Sequence, residues 1–156
     1  MASELETVVR HVSDVAGWKM MAPDSEGVYR YFFEEGLDLE IRSPNGRLLV
    51  LSADLGEMPE KGTPAYEERL REVAKLSAGI VRRRASVVSI YDGRLELYRV
   101  INMNEATDED YVYGVRDFLN DEAWWKACLN TDMSVGPGQS GFSFGSDAWF
   151  PSEIKF

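Results

Sequence analysis

Apolar positions recur at two distinct spacings along the chain, and the switches between them mark out its elements. In SELETVVRHVSDVAG, Leu5, Val8, Val9, Val12, Val15 and Ala16 fall at helical spacing. Ser3 and Glu6 have the arrangement of a capping box and Gly17 is a natural stop, so the spacing predicts a helix from about residue 4 to 16. A loop with Trp18, Met20, Met21 and Pro23 follows. The period then shortens to two across VYRYFFEE, LDLEIR and RLLVLSADL, which are separated by Glu35-Gly36 and by Ser43-Pro44-Asn45-Gly46. These are three strands of an antiparallel meander.

Alternation assigns the faces. Leu37, Leu39 and Ile41 lie opposite Asp38, Glu40 and Arg42, giving the second strand one wet side. The first strand sets Tyr29, Tyr31 and Phe33 against Val28 and Phe32, and the third sets Leu48 and Val50 against Leu49 and Leu51. Two strands that are apolar on both sides predict two coverings for the sheet.

Helical spacing returns in TPAYEERLREVAKLSAGIV, with Thr63 as N-cap, Pro64 at the first helical position and Tyr66, Leu70, Val73, Ala74 and Ser77 as the inward stripe. The run Arg82-Arg83-Arg84 suits the negative end of that helix dipole. The strands ASVVSIY and RLELYRVINM come next, joined by the hairpin signal Asp92-Gly93. A second capping box, Thr107 with Asp110, opens a closing helix that carries Tyr111, Val115, Phe118, Trp125 and Leu129 on one face. Asp108, Glu109, Asp117, Asp121 and Glu122 are expected on its solvent face.

The predicted order is α-β-β-β-α-β-β-α, an α+β fold with a twisted antiparallel sheet packed against helices. Residues 1–130 form the expected domain, and residues 131–156 a Gly/Ser-rich tail carrying Phe142, Phe144, Trp149, Phe150 and Phe156. Aromatic side chains in such a tail are expected to dock on a surface.

Composition excludes several function classes. A length of 156 residues suits one domain with its own core, burying roughly two-thirds of the surface of the unfolded chain. The formal net charge of −10 opposes binding to nucleic acid or to anionic membranes. Cys128 is the single cysteine, so there is no intrachain disulfide and no cysteine-rich metal site. With neither a signal-peptide pattern nor an apolar stretch of about 18 residues, the expected location is the cytoplasm.

Chemistry is sparse. GFSFG, residues 141–145, fits the G-x-S-x-G nucleophile elbow around Ser143, but no buried strand precedes it and no histidine follows. The one histidine, His11, falls within the first helix. GPGQSG lacks the Lys-Ser/Thr of a phosphate loop, and a metal site would have to be built from carboxylates alone. No catalytic residues, cofactor or metal are predicted, which favours a binding module over an enzyme.

The element order, the small acidic domain, the segment LLVLSADLGEMP before the second helix and DFLNDEAWWKACL in the last helix resemble the class I type III secretion chaperones, the Tir-chaperone (CesT-like) family, over about residues 3 to 129. The resemblance implies a bacterial cytoplasmic homodimer that holds the N-terminal region of a secreted effector in extended form, secretion-competent and without ATP, with the secretion ATPase as a further partner. Carried onto this sequence, it implies an effector-binding groove of Val8, Val12, Trp18, Tyr29, Tyr31, Phe33, Leu39, Ile41, Leu49 and Leu51. The implied dimer interface is Leu70, Val73, Val88, Ile90, Leu95 and Leu97. Many relatives end soon after the last helix, whereas about 27 residues follow here. A YbjN-like domain, similar in fold and undefined in role, is the first alternative, and a small serine hydrolase using Ser143 the second.

Overall fold

The computed structural model describes residues 2–80 and 83–130. Its elements are α1 (Glu4–Ala16), β1 (Tyr29–Phe32), β2 (Asp38–Arg42), β3 (Leu48–Glu57), α2 (Pro64–Ile80), β4 (Val87–Tyr91), β5 (Arg94–Asn102) and α3 (Asp108–Asn130), in the predicted order. All five strands join one antiparallel sheet, arranged β1-β2-β3-β5-β4. The long β3 is therefore central, and β1 and β4 are its edges.

Local signals account for most of the boundaries. Ser3 Oγ accepts the Glu6 N–H at 3.1 Å, but the Glu6 carboxylate pairs with Arg10 one turn on, so only half of the first capping box forms. The second box is complete: Thr107 Oγ1 accepts from Asp110 N–H at 3.3 Å, and Asp110 Oδ2 accepts from Thr107 N–H at 2.8 Å. Thr63 Oγ1 caps α2 through the Tyr66 N–H. Asp92 and Gly93 both adopt positive φ, 50° and 73°, as the two-residue hairpin between β4 and β5 requires.

The inner face of the sheet is apolar except for Arg99, which lies opposite Leu51 and reaches towards α3. Register aligns Tyr29 with Ile41, Ile41 with Leu51, and Tyr31 with Leu39, while Ala53 lies opposite Leu97. These side chains are buried beneath Val8, Val9, Val12 and Ala16 of α1 and Tyr111, Val115, Phe118, Trp125 and Leu129 of α3. Contact between α3 and β5 is close enough that a Cβ on Gly114 would lie 2.7 Å from Ile101 Cδ1.

The second helix packs differently from its predicted stripe. Val73 is its one buried residue, with Tyr66, Leu76 and Ile80 partly buried against the core, whereas Leu70 and Ala74 are exposed. The inward positions follow 66, 73, 76 and 80, because α2 meets the core along a narrow seam that a stripe drawn through 70 and 74 misses. Two coverings were expected for the sheet, yet all the buried strand residues that pack against helices lie on the inner face. Val87, Tyr91 and Val100 on the other face are exposed.

The acidic face expected on α3 also needs correction, since Asp121 and Glu122 are buried. Asp121 accepts from Arg84 Nη1 through one oxygen and from Ser86 Oγ at 2.6 Å through the other. This ties the segment before β4 to the helix: the Arg83 and Arg84 N–H groups close α2 on Ile80 O, while the Arg84 side chain folds back onto α3. Glu122 points to the opposite side, where Oε1 accepts from the Asp38 N–H at 2.9 Å and pairs with Lys126 Nζ at 2.8 Å. Lys126 Nζ also donates to Gly36 O at 2.7 Å and to Asp38 Oδ1 at 3.1 Å, so the β1–β2 turn is clamped to the helix. Neighbouring carboxylates on one helix thus hold two separate segments.

Burial pushes the Glu122 carboxyl up to about 8, with the adjacent Asp38 carboxylate adding to the rise and Lys126 opposing it. The tail, residues 131–156, and with it Ser143 and its elbow, lies outside the described residues.

Two outcomes are expected. Truncation of the fully buried Phe118 to alanine should cost about 3–5 kcal/mol, measured as a fall in the urea midpoint. The native state holds the Glu122 proton more tightly than the unfolded chain, so stability should fall as pH rises from 4.5 towards 8. The Glu122→Gln variant should flatten that part of the profile and be more stable than the parent at pH 8, by on the order of 3 kcal/mol in denaturant titrations.

Candidate functional site

Trp18, just beyond the left-handed Gly17 that ends α1, lies over the margin between that helix and β1. Its ring centroid is 5.2 Å from that of Tyr31 and 5.0 Å from that of Phe33, both tilted. Ser13 of α1 and the Tyr31 hydroxyl share a buried hydrogen bond of 2.9 Å, which fixes the helix against the edge strand. Burial raises the pKa of the Tyr29 phenol, and the negative charge of Glu6 adds to it. Val15 and Met21 are exposed beside this cluster, and Phe32 on the outer face of β1 is 81% exposed. The margin thus combines half-buried aromatic rings with an edge strand that, among the described residues, pairs on one side only, with β2.

The opposite edge has a second apolar surface. Ile90 on β4 and Leu70 on α2 are 37% and 41% exposed. On the outer face Val100 pairs with Val50, and Val87 with Tyr98, so apolar side chains from three adjacent strands lie side by side without a helix over them.

The residues singled out from the sequence separate into floor and rim. Of the ten groove positions, Val8, Val12, Tyr29, Tyr31, Leu39, Ile41, Leu49 and Leu51 are buried together beneath the helices, and Trp18 and Phe33 are half-buried at the margin. Of the six interface positions, Val73, Leu95 and Leu97 are buried, Val88 is half-buried, and Leu70 and Ile90 are exposed. Phe32, Val87, Tyr91 and Val100 were not among the positions selected. Their signal was the alternation within β1, β4 and β5, which sets them opposite the inward-facing residues.

Burial raises the pKa of the half-buried Cys128 thiol, which opposes nucleophilic chemistry. Among the described residues no group of three or more His, Cys, Asp or Glu is arranged to hold a metal ion, and no helix is long and apolar enough to cross a membrane.

The fold recurs in solved structures. A chain in the crystal structure of the ExsC–ExsE complex aligns over 81% of this chain and 96% of its own, with 19% identity and a TM-score of 0.59. A chain in the HopA1–SchA chaperone–effector complex aligns over 78% and 92%, with 14% identity and a TM-score of 0.58. A chain in the heterodimeric ExoU–SpcU complex from the type III secretion system of Pseudomonas aeruginosa aligns over 78% and 97%, with 13% identity and a TM-score of 0.54. No curated protein matches the sequence significantly. The Tir chaperone protein (CesT) family model matches residues 7–111, two-thirds of the chain, and the chain belongs to that family.

Proposed function

We propose that this member of the Tir chaperone family binds the N-terminal region of a type III secreted effector in extended form and keeps it competent for secretion. The observation that carries this reading is the junction of an aromatic margin, Trp18 with Tyr31 and Phe33, and an edge strand, β1, whose outer side has no strand partner among the described residues. An extended peptide can add to such an edge through main-chain hydrogen bonds while its apolar side chains occupy the adjoining surface. The complexes in which this fold recurs include one described as chaperone with effector. Trp18 and Phe33 form the rim that a client meets, with Val15, Met21 and Phe32 beside it. Val8, Val12, Tyr29, Tyr31, Leu39, Ile41, Leu49 and Leu51 form the floor that fixes the rim's shape.

We also propose that a homodimer forms through β4 and α2, where Leu70, Val88 and Ile90 meet their counterparts above Val73, Leu95 and Leu97. The exposed apolar residues along that edge favour burial against a second copy. The complex acts in the bacterial cytoplasm, takes no nucleotide itself, and hands its client to the secretion ATPase. Residues 1–130 act as the binding domain and residues 131–156 as an appended tail.

Size-exclusion chromatography with light scattering tests both readings, with the protein alone and co-expressed with the N-terminal region of an effector from the same genome. A dimer retaining one client chain is expected, and a monomer that retains nothing would exclude the chaperone reading. Phe33→Asp should weaken client binding by at least about tenfold, read by titration calorimetry, with the circular dichroism spectrum unchanged. Ile90→Asp should yield a folded monomer in the same light-scattering experiment, by placing a charge in the proposed interface.

A further inference from the structure

A concavity of about 520 Å³ opens between the end of α2, the segment before β4 and the middle of α3. Arg83, Arg84 and Arg99 line it together with Ile80 and the indole of Trp124. The Arg84 guanidinium lies 5.1 Å from the Trp124 ring centroid and is held by Asp121, whose second oxygen is taken by Ser86. Arg99 reaches Asp117 only at 4.0 Å, and that carboxylate is shared with Arg116 at 3.7 Å. Arg83 is exposed and forms no ion pair among the described residues. Three guanidiniums therefore face two carboxylates, a local cationic excess in a chain of net charge −10. Such a wall fits a peptide that offers carboxylates and aromatic rings together.

The chain supplies a peptide of this chemistry. Its last ten residues, DAWFPSEIKF, place Trp149 and Phe150 between Asp147 and Glu153. The α3 helix ends at Asn130, six residues beyond Trp124, which is about 9 Å along the helix axis. Sixteen residues, 131–146, separate that end from Asp147, and a chain of this length reaches up to about 55 Å. Tethering at this range gives the segment a high effective concentration at the concavity.

We propose that residues 147–153 dock in this concavity, with their carboxylates on Arg83 and Arg99 and Trp149 against Trp124 and Ile80. The proposal does not depend on the chaperone reading, because it concerns a segment of the same chain and a concavity whose lining includes none of the residues assigned to the client rim or the dimer interface.

Hydrogen–deuterium exchange on the full-length protein tests it. Amides of residues 147–153 are expected to exchange about tenfold slower than an unstructured chain. Arg83→Glu, at an exposed position, should abolish that protection without changing the melting temperature. Adding to Arg83→Glu the single substitution, Asp147→Arg or Glu153→Arg, that reverses the carboxylate paired with Arg83 should restore it. Exchange at the unstructured rate in the parent protein would overturn the proposal, as would protection that survives Arg83→Glu. Protection that disappears on dilution would assign the concavity to the tail of a second copy and overturn it too.

Discussion

One-sided covering of the sheet is the constraint on which the rest of this structure depends. Five strands present an inner face that is apolar apart from Arg99, and α1 and α3 bury it with Val9, Val12, Val115, Phe118 and Trp125. Each of these side chains contributes roughly 1.5–3 kcal/mol by leaving water, which makes this layer the main source of stability. With the helices committed to that layer, the outer face and both sheet edges have only short side chains, charges or a second protein to shield them. Asp38, Glu40 and Arg42 serve on the β2 side, and Ser52, Asp54, Ser89 and Glu96 on the neighbouring strands, whereas Val87 and Val100 remain exposed among them.

Buried charge directs where the helices sit. Hydrophobic contact alone is non-directional and would let α3 slide on the sheet. Asp121 and Glu122 remove that freedom by fixing the helix to the segment before β4 and to the turn before β2. Glu122 is fully buried with Oε2 lacking a hydrogen-bond partner among the described residues, so its position costs stability at neutral pH. The same clamp holds the β1–β2 hairpin, on whose far side Trp18 and Phe33 form the aromatic margin. A change at α3 can thereby alter the shape of that margin without touching it.

This division of roles bears on how a binding surface can be reshaped without unfolding the domain. Rim residues such as Phe32 and Met21 are exposed, so changing them costs the fold little. Floor residues such as Leu39, Leu51 and Leu97 hold the sheet to the helices, and changing them costs stability before it alters recognition. The exposed surface is therefore more readily reshaped at the edges, where side chains contribute little to folding.

The sequence by itself determined the element order, the helix starts at Ser3, Thr63 and Thr107, the Asp92-Gly93 hairpin and the inward stripe of α3, because each depends on neighbours within a few residues. Family membership was legible in the same pattern. Only the tertiary structure decided which apolar residues are floor and which are rim, since Leu39 and Phe32 look alike until the strand order places one under a helix and leaves the other at an edge. It also decided the fate of Asp121 and Glu122. Local spacing counts them with a solvated face, and only partners 35 and 84 residues away make it possible to bury them. The narrow seam of α2 had the same origin: a helix's buried side is set by what it meets, and helical periodicity supplies several candidate faces without choosing among them.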